Sequence, residues 1–534
     1  MRPRSIHAGA GSSCVAARAS EAKALATTQV RRMSSMQNVQ SNDEAPVSTG
    51  IAGLDEILSG GLPRNRVHLL EGDPGTGKTT LALQFLLAGV ARQESCLYIA
   101  LSETAEELVS VATSHGWNLG DLHVHELTPS QGILEAESQY TLFHPSEVEL
   151  SDTIRGVVDQ VTRFAPTRVV IDSLAEMRLL ASEPLRYRRQ ILALKQFFVG
   201  RHANVVLIDD RSADRGDLQV QSIAHGVLRL EQRVADYGSE RRRLQVVKLR
   251  GVKYKGGFHD FCIESGGVRV FPRIIAAEHR ARPKVEVFPS GISELDALLG
   301  GGLSAGTTTA VIGPAGVGKT VLATHYAAAS ARAGHRAAIY LFDERLNTFL
   351  HRSEHVGAPL SPLIADGRIH IEQLDPAQVT PGEFATRLRA CVEQDGARFV
   401  LIDSLNGYLS AMQDESAVLV QLHELLTYLN ERGVLTVLAV AQHGVLGSAM
   451  GAPLDISYLA DTLVLMRFFE AAGAVRQAIS VVKNRTGAHE RTIREYQITR
   501  DGPRVGGALA EFQGVMTGVP RYTGEEERLL SPGA

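Results

Sequence analysis

The sequence carries the same glycine-rich phosphate-binding loop twice, at two points 241 residues apart. The first loop is GDPGTGKT at Gly72–Thr79, and the second is GPAGVGKT at Gly313–Thr320. In such loops the glycines let backbone N–H groups wrap around phosphates, the lysine reaches the terminal phosphates, and the threonine hydroxyl binds Mg²⁺. Two loops of this form predict two nucleotide sites, each with a bound Mg²⁺.

The residues around the two loops also recur in the same order. The segment TGI at 49–51 returns as SGI at 290–292, and RVVIDSL at 168–174 returns as RFVLIDSL at 398–405. This repetition predicts two homologous domains in series. The boundaries that we predict are an N-terminal extension at 1–45, a first domain at 46–271, a linker at 272–288, a second domain at 289–517 and a tail at 518–534.

Short apolar runs alternate with helical stretches in both halves. Val67–Leu70 leads into the first loop, and a helix is predicted from Thr80 onward. Continuous apolar strands that alternate with helices indicate parallel sheets buried on both faces. Two strands joined by polar turns follow in each half, which is typical of an antiparallel hairpin at a sheet edge. The predicted fold class is α/β, with two tandem doubly wound domains, mainly parallel sheets and an antiparallel extension.

The charge balance argues against a strong attraction to nucleic acid or to an anionic membrane. The net charge is −4, and we interpret the short basic run Arg241–Arg243 as a solvated turn. No run of 18 apolar residues is present, so no membrane span is predicted. The four cysteines are far apart and form no C-x-x-C pair, which favours a reducing cytoplasm without disulfides or zinc.

The first 45 or so residues differ from both repeats. They are rich in arginine, serine and alanine, with few acids, a composition that fits an organelle transit peptide. The same composition fits a disordered extension, or an over-long reading of the gene whose true start is Met33 or Met36. We expect one of the latter two, because the rest of the chain has the character of a bacterial-type cytosolic ATPase.

A carboxylate ends the same apolar strand in each repeat. Asp172 and Asp403 therefore lie at the carboxyl edge of the sheet, beside the phosphate-binding loop. There, together with Thr79 and Thr320, each can hold the Mg²⁺ hydration shell. The alternative is that each aspartate caps the helix that follows it.

A second pair of acidic positions follows the strand after each loop, at Ser102-Glu103 and at Asp343-Glu344. An acid there faces the γ-phosphate and can act as a base for the attacking water or hydroxyl. The alternative is a solvated loop carboxylate. The predicted catalytic residues are Glu103, Asp343, Glu344, Lys78 and Lys319.

Two cations alternate along a later strand of each repeat, Lys248 with Arg250 and Lys483 with Arg485. Spacing i, i+2 puts both on one side of the strand. Their distance in sequence from the loops suggests that they act on the phosphates of a neighbouring subunit. The alternative is a charged edge strand that prevents aggregation.

Together these residues resemble the KaiC family of RecA-like ATPases over about residues 46–520. The resemblance implies ATP-driven homohexamers of stacked rings, with nucleotide between subunits and signalling or clock-type protein partners. It also implies that the N-terminal ring is the main ATPase and that the C-terminal ring phosphorylates its own serine and threonine residues. The ATP-contacting positions that it implies are Gly75, Thr76, Gly77, Lys78, Thr79, Thr80, Ser114, Lys248, Leu249, Arg250, Gly316, Val317, Gly318, Lys319, Thr320, Val321, Lys483 and Arg485.

The resemblance implies a phosphoacceptor pair just before Asp461-Thr462, which here is Ser457 and Tyr458. Tyr458 departs from the family's threonine, so an ordered two-site cycle is in doubt. Ser102 replaces the first carboxylate of the acidic pair, so hydrolysis in the first ring is expected to be slow or to depend on Glu103. The alternative for Ser457 is an unmodified hydroxyl before a strand.

Two other functions use the same nucleotide sites. A helicase-type motor would show hydrolysis stimulated by DNA, whereas an ATP-dependent signalling scaffold would assemble without transferring phosphate. The sequence alone does not separate the scaffold from the kinase.

Overall fold

The computed structural model describes most of the chain outside the N-terminal extension and the tail. The described residues are 45–127, 145–181, 183–211, 219–234, 238–280, 286–410, 415–442, 457–471, 473–516 and 521–523. They form two compact units, the first mainly before residue 271 and the second mainly after it. Residues 1–44 of the expected extension at 1–45, part of the predicted linker and most of the predicted tail lie outside the described residues.

The first unit contains an α/β sheet followed by a run of edge strands. Its strands are β1 Val67–Gly72, β2 Cys96–Ala100, β3 His123–Glu126, β4 Arg168–Asp172, β5 Asn204–Asp210, β6 Gly226–Arg233, β7 Arg241–Leu249, β8 Phe258–Glu264 and β9 Gly267–Phe271. Its helices are α1 Ala52–Ile57, α2 Lys78–Val90, α3 Ala105–Ser114, α4 Pro145–Phe164, α5 Leu174–Leu180, α6 Pro184–Phe198 and α7 Gln219–Ile223.

The sheet of the first unit has the strand order β3-β2-β4-β5-β1-β6-β7-β8-β9. Strand β1 pairs in parallel with β5 and with β6, so the phosphate-binding loop follows a strand enclosed on both sides. Every residue of β1, β2 and β4 is buried, as continuous apolar runs predict for a sheet covered on both faces. The carboxyl ends of these parallel strands therefore meet at one edge.

The second unit repeats this plan. Its strands are β10 Val287–Phe288, β11 Leu303–Ser304, β12 Thr308–Gly313, β13 Arg336–Leu341, β14 Ile369–Gln373, β15 Ala397–Asp403, β16 Leu435–Ala441, β17 Thr462–Ala471, β18 Ala474–Asn484, β19 Ile493–Thr499, β20 Gly502–Ala508, β21 Phe512–Gln513 and β22 Arg521–Tyr522. Its helices are α8 Ser293–Leu298, α9 Lys319–Arg332, α10 Leu346–His355, α11 Ser361–Ala365, α12 Pro381–Glu393, α13 Leu405–Ser410 and α14 Glu415–Glu431, with a 3₁₀ turn at Ala276–His279.

The second sheet has the order β14-β13-β15-β16-β12-β17-β18-β19-β20, which matches the first strand for strand. Strand β12 pairs in parallel with β16 and β17, and β17 then pairs antiparallel with β18. The predicted fold class of two tandem, mainly parallel sheets with an antiparallel extension is confirmed. The structure adds that the first strand of each predicted hairpin is itself parallel to the strand before the loop.

Two segments differ in detail from their sequence interpretation. Arg241–Arg243 forms the start of β7 and is half-buried, so the solvated turn expected there is wrong. The segment predicted as a linker contains the 3₁₀ turn and β10, and its Phe288 is buried against the core of the second unit. Among the described residues, Cys96, Cys262 and Cys391 are free thiols. No described helix is both long and apolar enough to cross a membrane.

Candidate nucleotide-binding sites

Each phosphate-binding loop has the backbone geometry that its glycines allow. Gly75 and Gly77 have φ of 79° and 94°, and Gly316 and Gly318 have φ of 81° and 102°. A side chain at such a φ is strained, so glycine is required there. Helices α2 and α9 start at the loop lysine in each repeat. Their first N–H groups therefore point toward the loop, which is an arrangement suited to phosphate.

In the first site, the loop lysine is held by protein groups. Lys78 Nζ donates to the backbone oxygens of Gly72 and Asp73 at 3.0 and 2.9 Å. It also forms an ion pair with Asp210 Oδ1 at 2.7 Å, while only 8% of the Lys78 side chain is exposed. Asp210 ends β5, so the parallel sheet brings it to the loop.

The predicted magnesium residues of the first site lie together. Thr79 Oγ1 is 3.1 Å from Asp172 Oδ2, which also accepts a 2.5 Å hydrogen bond from the Tyr98 hydroxyl. Burial raises the pKa of Asp172, and the hydrogen bonds from Tyr98 and Thr79 partly offset this. Ser173, not Asp172, is the N-cap residue of α5, so the capping alternative does not account for this aspartate.

The candidate base of the first site lies beside the same threonine. Glu103 Oε1 is 3.4 Å from Thr79 Oγ1, and Glu103 Oε2 is buried without a hydrogen-bond partner in the part of the chain that the structure describes. Burial, and then the nearby charge of Asp172, raise the pKa of Glu103. A carboxylate in this state is a stronger proton acceptor than a solvated one.

The second site has the same layout with different partners. Lys319 Nζ donates to the Pro314 carbonyl at 2.8 Å, and burial lowers its pKa. Burial raises the pKa of Asp403, and the Thr320 side chain partly offsets this. Asp403 Oδ2 is buried and has no hydrogen-bond partner among the described residues. That oxygen could therefore accept a hydrogen bond from a ligand.

The acidic pair of the second site is divided between two partners. The Ser404 hydroxyl donates to Asp343 Oδ2, and Arg352 donates to both carboxylate oxygens of Glu344 at 2.6 and 2.7 Å. Asp343 and Glu344 follow β13, which lies next to the strand that ends in Asp403. The two predicted carboxylates and the loop threonine are thus brought to one edge of the sheet.

The predicted finger cations lie at the other end of the sheet from their own loop. Lys483 is paired with Leu463 of β17, which is level with Ala310 near the start of β12. The loop begins at Gly313, where β12 ends. In the first repeat β6 starts level with His68 of β1. These cations do not reach the phosphate-binding loop of their own repeat.

The cations hold the backbone that precedes the parallel strand. Lys483 Nζ donates to the carbonyls of Ser457 and Ala460 at 2.7 and 2.6 Å, and Lys248 Nζ donates to the carbonyl of Gln221. Arg250 Nη2 donates to Ser222 O at 3.1 Å. The side chains of Lys248 and Lys483 therefore make equivalent contacts in the two repeats.

The candidate phosphoacceptors are exposed and adjoin this same edge. Ser457 is exposed, and 52% of Tyr458 is exposed. Asp461, just after them, donates its N–H to Thr308 O and accepts from Thr308 N, at the first residue of β12. A six-residue strand rises about 3.3 Å per residue, so its ends are roughly 17 Å apart.

The other predicted contact positions fall into two groups. Thr76 and Val317 are buried inside the loops, and Thr80 and Val321 are buried in the helix turns that follow. By contrast, Ser114 ends α3, and its hydroxyl donates to Val111 O at 2.7 Å. Helix α3 leads away from the acidic pair for about 15 Å, so Ser114 does not join the loop of its own repeat.

Leu249 and Arg485 complete the predicted set. Leu249 is buried at the end of β7. Arg485 donates its backbone N–H to Asp461 O at 3.0 Å, and its guanidinium is 3.6 Å from the Asp461 carboxylate. Both residues lie at the edge away from the loops.

Four site residues were missed from the sequence: Tyr98, Asp210, Arg352 and Ser404. Asp210 had a signal, because it ends an apolar strand as Asp172 does. Ser404 directly follows the predicted Asp403. Tyr98 and Arg352 had no signal in the sequence. The contact of Tyr98 depends on the register of two strands, and the contact of Arg352 depends on the direction of its side chain.

Comparison with known proteins matches both repeats to one family of ATPases. The family model described as "ATPase: KaiC" matches residues 47–274 and 288–509. The circadian clock oscillator protein KaiC of Acaryochloris marina is 25% identical over 520 residues, which cover 94% of this chain and 97% of that protein. The circadian clock protein KaiC3 of Synechocystis is 24% identical over 494 residues, which cover 90% and 95%. Most of the chain is matched, in both repeats, and the chain belongs to the KaiC family of ATPases.

Proposed function

We propose that this chain is an ATP hydrolase that forms a homohexameric ring, with ATP held between neighbouring subunits. The observation that carries the proposal is the separation of each loop from the cations of its own repeat. Lys248, Arg250, Lys483 and Arg485 lie at the edge of the sheet away from the loop of their own repeat, which fits cations that act on a phosphate of a neighbouring subunit. A closed ring presents this edge of one subunit to the loop of the next.

The residues of each site have separate roles in this proposal. Lys78 and Lys319 bind the terminal phosphates, and the glycines of each loop donate backbone N–H groups to them. The hydroxyl and carboxylate pairs Thr79 with Asp172 and Thr320 with Asp403 would hold the metal. When bound, Mg²⁺ neutralises charge on the phosphates.

The donor set fits Mg²⁺. This ion prefers oxygen ligands and keeps several waters, so it needs only one or two protein groups besides the phosphates. The unpartnered buried oxygen of Asp403 and the close approach of Thr79 to Asp172 supply such groups. No described group of three or more histidines, cysteines or acids could hold a metal by itself.

In the second domain, we infer an autokinase that acts on Ser457 of a neighbouring subunit. The Ser457 hydroxyl oxygen attacks the γ-phosphorus, and the bond from that phosphorus to the β–γ bridging oxygen breaks. ADP leaves, and the hydroxyl proton passes to Asp343 or Glu344. Ser457 is supported as acceptor by its exposure and by its place shortly before Asp461, which bonds to the first residue of β12 at the end away from the loop. Tyr458 is a second hydroxyl at the same edge.

Incubation with γ-labelled ATP and mass spectrometry of the peptide that contains Ser457 tests the kinase. We expect one phosphate on Ser457 and none in the Ser457→Ala variant. A mixture of Lys319→Ala and Ser457→Ala chains should regain label on the Lys319→Ala chain, because transfer occurs between subunits. Label that persists in Ser457→Ala alone would refute the acceptor assignment.

Mass measurement with and without ATP tests the ring. A hexamer has six times the chain mass of 57.6 kDa, and we expect it to form with ATP. Single-stranded DNA should leave the hydrolysis rate unchanged, whereas a several-fold stimulation would favour the motor. Assembly without any phosphate transfer would favour the scaffold.

The names of the relatives extend the proposal to signalling or timing. Both relatives compared above are named as circadian clock proteins. We therefore propose that the phosphate on Ser457 alters the binding of a signalling or clock-type protein in the cytoplasm. Capture of partners by Ser457→Ala and Ser457→Glu chains should differ if this is right.

A further inference from the structure

Arg352 of α10 forms an ion pair with Glu344, a candidate base of the second site. Arg352 Nη1 is 2.6 Å from Glu344 Oε1, and Arg352 Nη2 is 2.7 Å from Glu344 Oε2. This is a two-pronged ion pair, the geometry in which a guanidinium binds a carboxylate best. Both side chains are largely shielded, with 33% of Arg352 and 24% of Glu344 exposed.

The packing of α10 fixes the arginine in this place. Its guanidinium carbon lies 5.5 Å from the ring centroid of Phe349, one turn earlier on the same helix. Phe349 is fully buried in the core of the second unit. A cation over a buried aromatic ring gains additional attraction and loses freedom to swing away.

In the part of the first repeat that the structure describes, no cation pairs with the equivalent carboxylate. Glu103 corresponds to Glu344, and the residue eight positions later, which corresponds to Arg352, is Val111. One oxygen of Glu103 is buried without a hydrogen-bond partner among the described residues. Glu103 and Glu344 thus occupy equivalent positions in the two repeats, but only Glu344 is paired with an arginine among the described residues.

The pairing has a chemical consequence. A general base must offer a lone pair to the proton that it removes, and it must be able to lie within hydrogen-bond reach of the attacking oxygen. A guanidinium that donates to both oxygens of Glu344 occupies a lone pair on each of them and holds the carboxylate in its place beside α10. Among the described residues, the neighbouring Asp343 accepts a hydrogen bond from the Ser404 hydroxyl at one carboxylate oxygen, Oδ2.

We propose that Arg352 is a positioning residue that holds Glu344 out of the proton-acceptor role. This inference rests on the proposed roles of the acidic pairs. Its consequence is that the second site hydrolyses ATP slowly and preserves it for transfer to a protein hydroxyl, with Asp343 as the proton acceptor. The first site, which carries Val111, keeps Glu103 available for water.

The test exchanges the two residues between the repeats. In a Glu103→Gln background, which suppresses hydrolysis in the first site, Arg352→Val should raise the release of inorganic phosphate about tenfold. The KM for ATP should stay within about twofold, because Arg352 acts on the base and not on the nucleotide. Arg352→Lys, which keeps one cation but not the two-pronged geometry, should give an intermediate rate.

The reverse exchange is made in the first site. Val111→Arg should lower total hydrolysis about tenfold, whereas Val111→Met, which is long but uncharged, should not. Arg368→Val is the matched arginine control in the second unit, because Arg368 is half-exposed and its nearest acidic oxygen is 3.9 Å away on Asp366. Circular dichroism melts of all variants separate a changed site from a damaged fold.

Addition of Glu344→Gln to the Arg352→Val chain tests whether Glu344 is the base that causes the faster hydrolysis. Reversal of the increase supports the inference, because Glu344 is then the released base. A rate unchanged by Arg352→Val, an increase that Glu344→Gln does not reverse, or a lower rate with a higher KM would each overturn it. Phosphate on Ser457 in the wild-type chain is read separately, so absence of that label refutes the proposed kinase without affecting the result for Arg352.

Discussion

The two nucleotide sites have the same backbone and different side-chain partners. In the first, Lys78 is paired with Asp210, and Asp172 accepts from Tyr98. In the second, the residues at the positions of Asp210 and Tyr98 are Ala441 and Ile339. The first site therefore binds its loop lysine and its metal carboxylate with protein groups, whereas the second leaves Asp403 Oδ2 without a hydrogen-bond partner among the described residues. Duplication preserved the loop and altered what surrounds it.

The largest expected effect comes from the base of the first site. Glu103→Gln should lower ATP hydrolysis by the whole chain about 100-fold, because the amide cannot accept the proton of the attacking water. Glu344→Gln should lower it less than twofold, since Arg352 already restrains that carboxylate. Phosphate release measured by a coupled assay gives both values.

The control for these two variants is Glu106→Gln. Glu106 is an exposed acid three residues after Glu103, on the first turn of α3, and its loss should leave the rate unchanged. Equal losses in Glu103→Gln and Glu344→Gln would show that the two sites share the hydrolysis equally and that Arg352 does not distinguish them.

The next effect concerns pH. Burial lowers the pKa of His68 in β1 from 6.5 to about 4, whereas the corresponding residue in β12 is Thr309. Below pH 6.5 the unfolded chain binds a proton on His68 that the native chain does not. The free energy of unfolding therefore falls as pH decreases from 6.5 to 4, by about 3 kcal/mol in all, and is unaffected above 6.5.

His68→Thr introduces the residue of the second repeat and should flatten this dependence. Urea unfolding of the full chain at pH 7.5 and pH 5 measures the change, followed by a probe in the first unit. His202→Asn, a substitution of an exposed histidine whose positive φ asparagine tolerates, should keep the wild-type slope. The same slope in His68→Thr as in the wild type would assign the acid sensitivity to other groups.

A smaller effect on the free energy of unfolding is expected from the hydrogen bond to Asp172, the proposed metal-binding carboxylate. Tyr98→Phe removes the hydrogen bond to Asp172 Oδ2 and should lower the free energy of unfolding by about 2 kcal/mol. Because bound Mg²⁺ and ATP would engage that oxygen instead, the difference should shrink when both are present. Thermal melts with and without Mg²⁺ and ATP measure it.

Tyr428→Phe is the matched control, since it removes a hydrogen bond to the Glu393 carboxylate outside either site. Its cost should be the same with and without the nucleotide. A ligand-independent cost for Tyr98→Phe would mean that Asp172 serves only the fold.

Much of each site could be predicted from the sequence because parallel strands bring their carboxyl ends to one edge. That rule places Thr79, Glu103 and Asp172 together without knowledge of any distance. It could not find Tyr98, because Tyr98 and Tyr340 look alike within apolar strands, and only the strand register turns Tyr98 toward an aspartate. Nor could spacing show that Arg352 reaches back over two turns of helix to Glu344.

The smallest effect concerns the lysine of the first loop. Lys78 must leave Asp210 to reach a phosphate, and the 2.7 Å ion pair between them is lost in that movement. Asp210 is 40% exposed, so the pair is partly screened by water and contributes about 1 kcal/mol or less. Asp210→Ala should therefore strengthen ATP binding at the first site about threefold to fivefold.

Ala441→Asp, the reverse change at the corresponding position, should weaken binding at the second site by a similar factor. Titration with a fluorescent ATP analogue in Lys319→Ala and Lys78→Ala backgrounds, respectively, reads one site at a time. If Asp210→Ala instead weakens binding, the aspartate orients the lysine toward the phosphate, and the sites differ by an added binding group rather than by a competing one.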